Sequence, residues 1–184
     1  MTTIDNNGPH ARPRSGPRNQ PADTDDRQRR HAGLLRAWFS APVVALVGGL
    51  VLFGVLGIAG LSPWQQWPVP LRWSLAVMFL LTASARFGPR AESLRAMVPP
   101  GLPRPALLVA VSGVLEALGA VGLLVPATAP AAGWCLAALL IALFPANVHA
   151  ARAAIGAGDR AATPLPIRTV QQVIFVACAV LAAL

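Results

Sequence analysis

From Ala37 to Leu61 the chain runs for twenty-five residues without a charged side chain. As a helix that stretch is about 37 Å long, enough to cross a hydrocarbon core of about 30 Å. Four more apolar runs follow, at about Leu71–Phe87, Pro105–Val125, Ala131–Ala151 and Ile167–Leu184. In lipid every backbone polar group needs an internal partner, so runs of this length read as transmembrane helices. The second and fifth are short. Arg72, Arg86 and Arg168 at their ends extend them by reaching their charged heads toward water.

The composition agrees. The 184 residues are 55% hydrophobic and only 12% charged, where soluble domains average about 25% charged. The net charge of +8 comes wholly from Arg, since the chain has no Lys. Such Arg usage with abundant Ala, Gly and Pro points to a GC-rich bacterial genome. A basic balance also suits nucleic acid, but here the charge sits in an N-terminal tail and in loops beside apolar spans, so nucleic acid is excluded as a partner and the lipid bilayer is expected instead. Residues 1–36 hold Pro, Gly, Asn, Asp and Arg with almost nothing to bury and read as a disordered tail. Its basic end, Arg27 to His31 with Arg36, belongs beside an anionic membrane surface. It serves as an orientation signal or as a regulatory, partner-binding tail. No secretory signal is expected, because polar residues fill the chain before the first apolar run.

The arginines set the topology. With alternating spans, fourteen of the fifteen fall on one side and Arg72 alone falls opposite. The positive-inside rule then puts the N-terminus in the cytoplasm and the C-terminus outside, in a bacterial plasma (inner) membrane. Trp64, Trp67, Trp73 and Trp134 fall at the outer interface and Trp38 at the inner one, an aromatic belt. In the cytoplasmic loop 88–104, Pro89 predicts a short helix start. Leu94, Met97 and Val98 would share one face, with Arg90 and Arg95 free to meet headgroups.

Two places carry polar groups where polarity is expensive. Glu116 lies near the middle of the third span, and Ser112, Gly113, Gly119 and Ala120 share its helix face. Small residues let a neighbouring helix approach closely, so the carboxylate is expected inside the bundle. Three readings stay open: a neutral, hydrogen-bonded staple; a partner for an Arg or a ligand headgroup; or a proton relay. Arg72 and Arg86 are its candidate charge partners, from opposite ends. The second place is Phe144-Pro-Ala-Asn-Val-His-Ala150. Pro145 predicts a kink, lined by Asn147 and His149, with Arg86, Gln171 and Gln172 at similar depth. Interhelical hydrogen bonding, a small-molecule or quinone headgroup site, and a metal or haem site compete there, the last weakened by the single His. Cys135 and Cys178 share a depth and would meet if their helices are neighbours, though a buried Cys usually behaves as a small hydrophobe. There is no P-loop, GxSxG, HExxH or Rossmann fingerprint, so no catalytic residue and no metal site is assigned, and an enzymatic role extends at most to a subunit of an oxidoreductase complex.

From Leu71 onward the chain resembles the DoxX family of small bacterial membrane proteins. The residues that carry this are Leu71-Arg72, Ala85-Arg86-Phe87, Met97-Val-Pro-Pro100 with Leu102-Pro103, Ser112-Gly113 with Glu116, Gly122-Leu-Leu-Val-Pro126, Ala132-Gly-Trp134, and Phe144-Pro-Ala-Asn-Val148. The resemblance implies a four-helix membrane bundle over residues 71–184, with 37–61 as an additional N-terminal helix and 1–36 as the tail. It also implies quinone-coupled, oxidative-stress or thiol-stress chemistry carried out with partner subunits. Arg86 stands where a His is frequent before Phe in part of that family, which argues against haem or metal here.

The expectation is therefore an all-α integral membrane bundle of five spans. It acts as a subunit or anchor of a redox-linked assembly with oxidoreductase partner subunits and quinone as the candidate cofactor. The alternative is a small-molecule transporter or permease coupled through Glu116. Glu116, Arg72, Arg86, Asn147 and His149 form the expected ligand-binding or structural polar core.

Overall fold

The computed structural model describes residues 39–156 and 162–184. The N-terminal tail, Trp38 and Arg160 lie outside the described residues. Those described fold into α1 (Ala41–Ile58), α2 (Val69–Phe87), the short α3 (Ala91–Ala96), α4 (Pro105–Leu124), α5 (Ala129–Arg152) and α6 (Leu165–Ala183), with no strand among them.

Each of the five long helices carries a Pro in its opening positions, and none uses a side chain as its N-cap. Proline at this point has its φ preset for the helix, and its missing N–H is one the first turn would leave unpaired anyway. This explains why α2, α5 and α6 begin two residues before their apolar runs: Pro70, Pro130 and Pro166 start the helix, not the first large hydrophobe.

Four helices, α1, α4, α5 and α6, are long and apolar enough to cross a membrane, which is what a multi-pass membrane protein requires. Their outward faces bear exposed Val, Leu and Ile, among them Val47, Val51, Val55, Leu118, Ile141 and Val173. Apolar patches of this extent need an apolar solvent. The fifth long helix, α2, is less apolar because it carries Arg72, Ser74, Thr82, Ser84 and Arg86. It is also the most enclosed: Leu71, Ser74, Leu75, Ala76, Met78, Phe79 and Ala83 are all buried. α2 packs against α1 on one flank and α4 on another, and touches α6 more lightly; α4 packs on α5, and α5 on α6. The bundle is thus a ring of α2, α4, α5 and α6, with α1 laid on the outside of α2. The core is formed by Leu75, Met78 and Phe79 with Leu123, Leu136, Ala179 and Leu46.

Close contacts set the helix spacing. A Cβ on Gly119 would lie 2.6 Å from Leu136, and one on Gly133 2.7 Å from the Ala179 carbonyl oxygen. Only glycine admits neighbours this near. At the chain-reversal end Phe53, Trp64 and Trp73 form a cluster with centroid separations of 5.7 Å. Trp64 and Trp73 therefore pin the α1–α2 connection by aromatic packing, whereas Trp67 and Trp134 are exposed.

Candidate functional site

Glu116 is buried on α4 and faces the last turn of α2. Arg86 Nε donates to its Oε2 at 3.0 Å, and Arg86 Nη2 donates to its Oε1 at 2.5 Å. Two parallel bonds between a guanidinium and a carboxylate are the strong, geometrically specific form of an ion pair. The side chains are 14% and 3% exposed. Local sequence explains the approach: a Cβ on Gly113 would fall 2.9 Å from Arg86 Cδ, so glycine leaves the space in which the arginine stem lies. Because Gly113 meets the end of α2, the first two turns of α4 project beyond it. Glu116 is central in its own helix yet only about one turn inside the end of α2.

The other expected residues separate. Arg72 sits at the far end of α2, fourteen residues or about 21 Å along the helix from Arg86. Its Nε donates to the Ala182 carbonyl oxygen at 2.9 Å. It thereby satisfies one of the unpaired carbonyls at the C-terminus of α6, where a cation is favoured, and it is not a partner of Glu116. Asn147 turns toward α6: its Nδ2 donates to Gln172 Oε1 at 3.1 Å, and Gln172 Nε2 donates to the Leu140 carbonyl oxygen at 2.5 Å. His149, two residues on, points about 200° away around the helix and does not line the cavity described next. α5 runs unbroken through Pro145 to Arg152. Cys135 is exposed and Cys178 half-buried, and both are free although α5 and α6 are neighbours. Gly133 faces Ala179 and Ala183 at that crossing instead.

One functional candidate escaped the sequence reading except as the end of a span. Arg168, in the first turn of α6, donates from Nε to Thr163 O at 3.0 Å, from Nη1 to Asn147 Oδ1 at 3.4 Å and from Nη2 to Ile155 O at 3.3 Å. It shares a helix face with Gln171 and Gln172, at three- and four-residue spacing, and that spacing was the available signal.

These groups line one cavity of about 1030 Å³, bounded by α2, α3, α4, α5 and α6 with the start of α1 at its rim. α4 and α5 close on each other at Gly119–Leu136 and Gly122–Ala132; toward the arginine-rich end the space between them becomes the cavity. Leu94, Met97 and Val98 line it, and so does Arg90, which the sequence reading leaves free to meet headgroups; the loop 88–104 thus closes one end. Most of the wall is apolar. Arg86, Arg90, Glu116, Asn147, Arg168, Gln171 and Gln172 supply its charged and amide side chains. Among the described residues no cluster of His, Cys, Asp or Glu is suited to a metal ion.

Residues 75–183 match the model of a protein family described as a domain of unknown function, DUF8561, from within α2 to the end of α6. No curated protein and no solved structure matches the chain. The resemblance to DoxX is thereby corrected. Several of the short motifs that carried it are what close helix packing needs: Gly113 against Arg86, Gly122 against Ala132 and Gly133 against α6. Any tight membrane bundle selects such residues. More than half of the chain, including the entire ring apart from the start of α2, is accounted for by one uncharacterised family, and the protein belongs to DUF8561.

Proposed function

We propose that this is a multi-pass membrane protein that holds an amphiphilic small molecule inside its helix bundle. All five long helices cross the bilayer, α2 included, because its arginines are partnered within the protein. The arginine bias supports a cytoplasmic N-terminus and an extracytoplasmic C-terminus in a bacterial inner membrane. The observation that carries the reading is the cavity of about 1030 Å³, apolar over most of its wall, with polar side chains supplied by α2, α4, α5 and α6. Its size is at the upper end of the about 300–1,000 Å³ usual for ligand pockets.

A subunit role in a redox-linked assembly, with oxidoreductase partners and quinone as ligand, drew its support from the DoxX resemblance and loses it with that resemblance. Three guanidinium groups against one carboxylate line the cavity, an imbalance that a neutral quinone leaves uncompensated. For the transporter alternative Glu116 is the coupling group, yet both its oxygens are held by Arg86, an arrangement suited to cohesion.

The test fills the cavity. Ala146→Trp places an indole on the α5 wall. Protein extracted in mild detergent and weighed by native mass spectrometry should carry a bound amphiphile in the wild type and lose it in Ala146→Trp, with helicity by circular dichroism unchanged. Identical adducts in both proteins refute the reading.

A further inference from the structure

We infer that the occupant is an anionic phospholipid of the surrounding bilayer, its phosphate seated on Arg168 and Arg90 and its acyl chains lying between α4 and α5. This rests on the cavity being a ligand site.

Charge is the first argument. Arg86 is neutralised by Glu116. Arg90 and Arg168 also line the cavity, and among the described residues neither has a carboxylate within ion-pair distance. The carboxylates among the described residues are Glu92 and Glu116, committed to Arg95 and Arg86. Among the described residues Arg168 has neutral partners, and they take three of its five N–H donors. Two donors remain on a half-buried guanidinium at the cavity wall, a geometry that matches phosphate oxygens. Half-burial strips the Arg168 guanidinium of part of its water without a counter-charge among the described residues to replace it, and an anion in the cavity supplies that counter-charge.

Place is the second argument. Arg90 precedes α3 and Arg168 lies in the first turn of α6, so both stand at the polar end of the bundle, where headgroups lie. From there the cavity passes Leu108, Val111 and Leu115 of α4, which line it and stay at least 40% exposed, so the α4 side of the cavity is not sealed by other helices. The cavity thus opens sideways onto the face that meets lipid, and a chain enters from the bilayer without crossing water. A free phosphate uses the cationic end but leaves the apolar length empty.

The experiment is lipid competition on the full chain. Detergent-solubilised protein is given equimolar phosphatidylglycerol and phosphatidylcholine with identical acyl chains, and retained lipid is read by native mass spectrometry. Wild type should retain phosphatidylglycerol by about tenfold, the scale of one charge-assisted contact. Arg168→Gln should bring the ratio near one. Arg90→Gln, at an exposed side chain with no side-chain bond to the described residues to lose, should lower it by about threefold without touching the fold. Ala146→Trp should expel both lipids. Equal retention of the two lipids, abolished by Ala146→Trp, overturns the anionic headgroup while leaving the cavity a ligand site. A preference that survives Ala146→Trp places the lipid on the outer surface and overturns the inference, as does capture of inorganic phosphate without lipid. Retention of both lipids in equal amount, unaffected by Ala146→Trp, overturns the ligand-site reading as well.

Discussion

Removing Arg86 should destabilise the bundle more than removing Glu116, although the two groups share the same bonds. In Glu116→Leu the freed guanidinium stands one residue from the end of α2 and lines an open cavity. It can turn toward water, so the loss is that of its charged hydrogen bonds, about 1.5–3 kcal/mol. In Arg86→Met the carboxylate stays 3% exposed and keeps no cationic partner among the described residues. Breaking a buried pair this way costs about 3–5 kcal/mol. The double variant removes both charges and should return to within about 1 kcal/mol of wild type, since apolar replacement of a buried pair is near neutral. Equilibrium unfolding in a rising fraction of sodium dodecyl sulfate, followed by tryptophan fluorescence, measures all three. A coupling below about 0.5 kcal/mol, the usual limit of additivity, or a larger loss for Glu116→Leu than for Arg86→Met, would refute the reasoning.

Gly133→Ala should destabilise by about 1–3 kcal/mol, the usual effect of overpacking, because its Cβ would meet the Ala179 carbonyl oxygen and Ala183 Cβ at 2.7 Å. Gly48→Ala, with nothing within 4 Å, should leave stability unchanged or raise it by up to about 1 kcal/mol, and the same unfolding assay compares the two. A phosphatase reporter fused after Leu184 should be active outside the cytoplasm; cytoplasmic behaviour would mean that the number of spans is even.

The helices were legible because two signals coincide in this chain. Apolar runs of membrane length gave their existence, and prolines fixed their starts to within four residues. The bias of Glu116 toward the bundle was legible too, since Ser112, Gly113 and Ala120 share its face and are buried with it. Which arginine met it was not legible. Arg72 and Arg86 are equally apolar-flanked in sequence, and the choice depends on the axial offset of α2 against α4, fixed by the Gly113 contact. His149 was grouped with Asn147 by proximity in the chain, yet two residues along a helix point to nearly opposite faces. Sequence alone shows Arg168 as a charge at the end of a span, not as part of the wall of the cavity beside it. The family was misread for a related reason: the residues compared encode packing, and packing is common to many bundles.

The enclosure of α2 bears on the order in which the chain enters the bilayer. α2 carries two arginines and is synthesised before either of their partners, Glu116 of α4 and the Ala182 carbonyl of α6. On the proposed five-span topology it first meets lipid with only α1 beside it, through the Gly49–Ser74 contact. A segment with these residues inserts poorly alone, so α2 settles at its final depth only once α4 has followed. Insertion of α2 is then not an independent event but a step that waits for about thirty more residues of translation. Chains truncated just before and just after Glu116 should differ in how well α2 is protected from added protease, and equal protection would remove this dependence.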